Sequence, residues 1–275
     1  MPNQSTFEDM EFKGWTDPKI ARGYADGFAT ATRLTARHLA AAVVAGPDTH
    51  ILDLCTGHGI VAAELLAARA SVVALDFSEA MLALAKETAP SATFVQGNAL
   101  EMTFADQSFD AVTVGFGVPH FPDPARGFAE IARVLRPGGR LAFSIWCGQG
   151  SAGALGWLFE AYGRLADTSI KLPDGPDAHQ FTDHGLVRET LTTAGFEDIT
   201  SQDVPSELLV KSPSDIFDVF DKGAVRAAVL LSGQSEDTRG AIRASLAERV
   251  QMLGRHEADG YHVQAPCVMV SATRC

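Results

Sequence analysis

Residues 50–76 constrain this chain more than any other stretch. They read as an apolar strand, a small-residue turn, an amphipathic helix and a second apolar strand closed by an acid. Gly57 and Gly59 in the turn let the backbone pass close to a ligand and adopt φ angles closed to other residues. The helix starting near Gly59 brings unpaired N–H groups to the same place, where anionic or strongly polar ligand groups are stabilised. Asp76 ends the second strand, 19 positions beyond Gly57, where a carboxylate can accept hydrogen bonds from both hydroxyls of a ribose. The expected ligand therefore contains a ribose.

The run from Gly57 to Ala62 also fits G-x-G-x-x-G/A, a dinucleotide fingerprint that is weak when it stands alone. Asp53, just before the glycines, would repel a pyrophosphate and attract an amino-bearing cation. Further signals follow at Gly97-Asn98-Ala99 and at Arg133-Val134-Leu135-Arg136-Pro137-Gly138-Gly139. Together these residues resemble the class I S-adenosylmethionine-dependent methyltransferases, most closely the branch that includes ubiquinone and menaquinone C-methyltransferases. The resemblance covers residues 51–146 and 196–204. It implies an α/β, Rossmann-like class I methyltransferase fold: a mostly parallel seven-stranded sheet, helices on both faces and a helical cover over the active site. It also implies S-adenosyl-L-methionine as cofactor and S-adenosyl-L-homocysteine as product.

With 275 residues, 46% of them apolar, the chain can bury a full core. The economical reading is one domain, with its core at 46–147, 192–211 and 260–275 and its helical cover at 1–45, 148–191 and 212–259. A net charge of −12 argues against a nucleic-acid substrate, because phosphate backbones require a basic face. Cys55, Cys147, Cys267 and Cys275 form no C-x-x-C pair, so neither a disulfide framework nor a metal site is expected. No apolar run approaches the roughly 18 residues that cross a bilayer, and the N-terminus does not read as a leader. The expectation is a cytoplasmic protein; the sequence does not decide its oligomeric state.

Along the chain, residues 1–15 read as a polar, mobile terminus. A short helix from Pro18 through Tyr24 and a second at 27–44 are expected next, ended by Gly46-Pro47. Strands are read at 50–54, 71–75, 92–96, 109–114 and 139–145, and helices at 59–69, 78–88 and 124–135. Asp123 is the N-cap of the last, which Arg136-Pro137-Gly138-Gly139 stops. An aromatic helix with Trp157, Phe159 and Tyr162 follows a glycine-rich entry. A proline-rich loop at 167–181 leads to a helix capped by Thr182 and then to a strand at 196–203. Helices begin near Ser212 and Ser235, the latter burying Ile242, Leu246, Val250 and Leu253 on one face. A strand at 267–273 completes the sheet.

In open α/β sheets ligands lie beyond the carboxyl ends of the strands. The resemblance assigns cofactor contacts there to Asp53, Thr56, Gly57, Gly59, Asp76, Phe77, Met81, Asn98, Ala99, Leu100, Gly115 and Phe116. Tyr24 matches a tyrosine that closes over the cofactor in relatives, although helix packing would also explain it. Asp53 either holds the ligand's amino group or is satisfied by its own turn. Met81 either flanks the adenine or packs its helix on the sheet. Asn98 stands where relatives more often carry an acid, so it would reach the adenine amine through its amide oxygen. Cys55 stands where glycine is common and reads as a small packed side chain, and His58 as a polar loop residue. Gly117, His120 and Trp146 are the candidate acceptor pocket, with His120 either a general base or a residue shaping the rim.

The first functional reading is methyl transfer from S-adenosyl-L-methionine to a small, largely apolar acceptor. A second is a protein of the same fold that binds the cofactor or a metabolite without transferring methyl. A Rossmann oxidoreductase is the third. Whether oxygen, nitrogen or carbon would be methylated is not written in the sequence.

Overall fold

The computed structural model describes residues 6–275. The strands are β1 (His50–Leu54), β2 (Ser71–Asp76), β3 (Thr93–Gln96), β4 (Phe109–Gly115), β5 (Leu135–Trp146), β6 (Phe196–Val204), β7 (Glu207–Val210), β8 (Arg255–Glu257), β9 (Gly260–Gln264) and β10 (Cys267–Arg274). The helices are α1 (Phe7–Trp15), α2 (Pro18–Ala42), α3 (Ile60–Ala67), α4 (Glu79–Thr88), α5 (Pro124–Val134), α6 (Ala154–Leu165), α7 (His184–Thr193), α8 (Asp215–Gly223), α9 (Val225–Ser232) and α10 (Glu236–Leu253). They divide into two compact units. One comprises the segment ending at Ala31, Cys147–Gly175 and Pro205–Pro266; the other comprises Thr32–Trp146, Pro176–Val204 and Cys267–Cys275.

The second unit carries a seven-stranded sheet of order β3-β2-β1-β4-β5-β10-β6. β1 to β5 pair in parallel, and β10 runs antiparallel between β5 and β6. The direction of strand order reverses between β1 and β4, which opens a crevice beyond their carboxyl ends. Alternation along the strands feeds two cores. Ala142 of β5 joins a cluster with Leu39, Ile51, Ile60, Leu65 and Val72, while its neighbour Phe143 meets Phe128 of α5, ring centroids 5.4 Å apart. Phe181 packs edge-on against Phe128 at the same distance.

The first unit is helical, with a small sheet of order β7-β9-β8. Residues 6–15, read as part of a mobile terminus, are helical in the structure. Thr6 and Asp9 form a reciprocal capping box, and Phe7, Met10 and Trp15 are buried at helical spacing. Glu11, also buried, accepts hydrogen bonds from Trp15 Nε1 and from Arg226. The remainder of that expectation, residues 1–5, lies outside the described residues. α2 is one helix of 25 residues instead of the two expected. Gly23 and Gly27 do not break it, because their missing side chains let α8 approach. A Cβ on Gly23 would stand 2.1 Å from the Lys222 carbonyl oxygen, and one on Gly27 would stand 3.2 Å from Val219.

Other boundaries shift for local reasons. β5 begins directly after α5, at Leu135, because the Pro-Gly-Gly run is absorbed as a strand irregularity opposite Phe109 and Ala111, with Gly138 at φ 77°. Asp183, not Thr182, caps α7, its carboxylate accepting the N–H groups of Gly185 and Leu186. Leu253 is 59% exposed, so the buried face of α10 ends at Val250. Among the described residues no helix is long and apolar enough to cross a membrane.

Phe128 holds α5 on the sheet behind the crevice and is fully buried. Phe128→Ala should cost about 3–5 kcal/mol of unfolding free energy in urea titrations; a loss below about 1 kcal/mol would mean the aromatic cluster is not the anchor described.

Candidate functional site

The site is built where β1, β2 and β4 end. After Leu54 the chain turns through three left-handed residues, Cys55 (φ 54°), Gly57 (φ 55°) and Gly59 (φ 83°). Gly59 is the N-cap of α3 and has no side chain to cap it; the Ala62 amide of its first turn donates to the Asp53 carboxylate instead. A Cβ on Gly59 would fall 2.9 Å from the Ala85 backbone, so α4 packs directly on this turn. At Gly57 a Cβ would meet nothing nearer than 4.0 Å, which leaves space against the backbone there.

Asp76 ties this turn to β2. One carboxylate oxygen accepts the Gly57 N–H at 2.8 Å and the other the Ser78 N–H at 2.9 Å. The acid therefore has a structural duty as well as the ligand duty expected of it. Burial raises its pKa, while these amides and the nearby His120 pull it back. The Phe77 amide is a third donor, which leaves lone-pair capacity for a ligand hydroxyl.

Asp53 is fully buried. It accepts hydrogen bonds from Thr56 Oγ1 at 2.6 Å and from Thr113 Oγ1 at 2.9 Å. Burial pushes its pKa up to about 6, against those hydroxyls. Of the two sequence readings, self-satisfaction within the turn is what the geometry contains, joined by a strand hydroxyl from β4. Burial, followed by the charges of Asp76 and Asp53, also drives the Cys55 pKa well up, so the thiol stays protonated. His58 is no exposed loop residue. It is 6% exposed, and burial and the Arg33 charge lower its pKa to about 4, so it is neutral.

At the next strand ends, the Phe77 carbonyl accepts from Gln96 Nε2, and Met81 is buried beneath α4. Asn98 Oδ1, the atom expected to face an adenine amine, accepts the Leu100 N–H at 2.9 Å and closes a tight turn that buries Ala99 and Leu100. Beyond β4, Gly115 has no room for a side chain because Val61 is 2.9 Å from its would-be Cβ, and Gly117 none because of Cys55. Phe116, at φ 60°, stacks flat on Trp146 with centroids 3.7 Å apart and planes 6° apart. His120 ends a 3-10 turn over Val118–His120. Tyr24 belongs to the other unit, where its ring stacks on Phe28 and burial raises the pKa of its hydroxyl.

Three contributors were not singled out in the sequence: Thr113 on Asp53, Ser144 Oγ accepting the Phe116 N–H at 3.2 Å, and Ser78 below Asp76. Thr113 and Ser144 are lone hydroxyls inside apolar strands, and that is the signal that marks them. His179 is a fourth, its Nδ1 2.7 Å from the Trp146 carbonyl oxygen.

Compared with known protein families, residues 52–143 match the methyltransferase domain, which spans β1 to β5 and every turn just described. The match covers about a third of the chain. The sheet containing it has the class I methyltransferase fold. Among curated proteins, a demethylmenaquinone methyltransferase of Renibacterium salmoninarum is 42% identical over 110 residues, 40% of this chain and 46% of that protein. One of Clavibacter sepedonicus is 45% identical over 105 residues, 37% of this chain and 42% of that protein. The chain thus spans under half the length of the curated relatives it matches. Among solved structures, the Haemonchus contortus phosphoethanolamine N-methyltransferase 2 in complex with S-adenosyl-L-methionine superposes with a TM-score of 0.57 at 18% identity, over 99% of this chain and 60% of that one. The [4+2]-cyclase SpnF superposes at 0.52 and 17% identity, over 88% and 80%. At these identities the likeness is one of fold.

An adenosyl cofactor fits the methyltransferase domain. Asp76 offers the acid a ribose needs, and the open side of Gly57 leaves room against the backbone. The buried charge of Asp53 is the most exposing test of this geometry. Its raised pKa means the folded state holds the proton more tightly than the unfolded chain, so stability is greatest at low pH and falls as pH rises from about 4 to about 6. The shift corresponds to about 3 kcal/mol at ~1.4 kcal/mol per unit. Asp53→Asn removes it: the amide oxygen still accepts from one threonine hydroxyl, and the other hydroxyl can turn to accept from the amide NH2. Relative to the parent, the variant should gain about that much stability between about pH 4 and about pH 7 in urea denaturation; an equal difference at both pH values would contradict the burial of this charge.

Proposed function

We propose that this protein transfers a methyl group from S-adenosyl-L-methionine to a small, largely apolar acceptor. The carrying observation is the Asp76–Gly57 clasp, set within the matched methyltransferase domain at the switch of strand order.

Asp76 would receive a ribose hydroxyl on the lone-pair capacity its three amides leave, and the 98–100 turn would border the adenine edge. The backbone of residues 57–59 would lie along the methionine part, with the Asp53 charge behind it attracting the amino group through the turn. When bound, the sulfonium supplies an already electrophilic methyl carbon. The chain's task is then to align the acceptor in line with it and to exclude water, and such positioning supplies several kcal/mol. Gly115, Phe116 and Gly117 would border the methyl end, with Trp146 beside them as an apolar wall. That wall suits an apolar acceptor, as do the names of the curated relatives, whose printed substrate is a quinone. The net charge of −12 disfavours a nucleic-acid acceptor.

Calorimetric titration with S-adenosylhomocysteine should show one site, and Asp76→Asn should weaken it at least about tenfold, the worth of one charge-assisted hydrogen bond. Unchanged affinity would remove Asp76 from the cofactor site. Thermal stabilisation by NAD, with none by S-adenosylhomocysteine, would favour an oxidoreductase instead. Incubation with methyl-labelled cofactor and a panel of phenols, hydroquinones and amines should give a labelled product. Tight binding with no transfer to any member would favour a binding protein.

A further inference from the structure

If a proton must leave the acceptor, a base must stand at the methyl end of the crevice. His120 follows the turn after β4, its backbone N–H donating to the Gly117 carbonyl at 3.0 Å. Its charge acts on Asp76, the acid assigned to the ribose. The methyl end proposed above lies at residues 115–117 and Trp146.

There the chain returns from Pro176 with a histidine held from four directions. The His179 backbone N–H donates to Asp177 Oδ1 at 2.8 Å. Its carbonyl accepts from the Thr182 N–H at 2.9 Å and from Thr182 Oγ1 at 2.7 Å. The turn that follows is anchored by Phe181, 4% exposed and edge-on to Phe128. The ring itself meets the Trp146 carbonyl oxygen through Nδ1 at 2.7 Å. A carbonyl oxygen only accepts, so Nδ1 must carry the hydrogen. In the neutral ring Nε2 is then the basic nitrogen. Trp146 is the last residue of β5 and stacks on Phe116, so the ring is hung from the apolar wall at the carboxyl edge of the sheet.

We propose that His179, oriented by the Trp146 carbonyl beside the Phe116–Trp146 stack, takes the acceptor's proton on Nε2 during methyl transfer. The assignment rests on the methyl-transfer reading. In that step the acceptor atom bonds to the methyl carbon and the carbon–sulfur pair leaves with sulfur. The acceptor's hydrogen passes to Nε2 as a proton, which the imidazolium then releases to solvent.

Three variants separate this role from a structural one, using the full chain and whichever panel acceptor takes up label. His179→Ala should lower kcat by roughly 100-fold with S-adenosylhomocysteine affinity unchanged, and added imidazole should restore part of the rate. His179→Asn, whose amide can still donate to the Trp146 carbonyl, should be as slow. His120→Ala should change cofactor affinity more than kcat. A fast His179→Asn enzyme, or rates within a few-fold of the parent for His179→Ala, would overturn the proposal while leaving methyl transfer standing; failure of the parent to bind S-adenosylhomocysteine would overturn the functional reading instead. If the parent binds but labels no acceptor, nitrogen-15 spectra of the histidine side chains decide. A neutral His179 protonated on Nδ1 is expected, and protonation on Nε2 would overturn the assignment.

Discussion

The clasp between the Asp76 carboxylate and the Gly57 amide joins two strand ends through a turn that cannot stabilise itself. Three residues in five lie in the left-handed region, one of them a cysteine, and non-glycine residues held there cost energy that the surroundings must offset. The clasp supplies part of that offset. It also aligns the start of α3, because Gly59 packs on Ala85 of α4, which Ser78 caps directly after Asp76. Turn, helix terminus and acid are thus a single assembly, and a ligand that engages one engages all.

Beneath it the site stores unfavourable electrostatics. Asp53 and Asp76 are both buried carboxylates with raised pKa values, and each raises the pKa of Cys55 between them. Two threonine hydroxyls and the Ala62 amide share the charge of Asp53. Such an arrangement favours the arrival of a cation nearby.

Much of this was legible in the sequence because the signals are local. Apolar strands, Gly57 and Gly59, the acid at 76 and the Asp123 cap each declare themselves within a few residues. The parallel pairing of β1 to β5 follows from alternation of strand and helix. What escaped depended on partners far away in the chain. α1 looked like a loose end because Glu11 reads as surface, yet Arg226, 215 positions on, holds it inside. Gly23 and Gly27 read as a helix break until α8 supplies a reason for them. The β7-β9-β8 sheet was hidden because short polar strands carry little alternation, with β8 exposed throughout. At the site, Thr113, Ser144 and His179 matter through contacts 60, 28 and 33 positions away, respectively.

β10 lies between β5 and β6, yet follows both in the chain. β6 touches the sheet only through it. During synthesis, β1 to β5 can assemble as the ribosome releases them, while β6 emerges with no neighbour to hydrogen-bond and must wait more than sixty residues. Until then β5 presents an open edge of unpaired amides and carbonyls, the kind of edge that recruits other chains. The strand that seals the sheet is thus made after both of its neighbours, and the nascent chain is most exposed to aggregation just before β10 emerges.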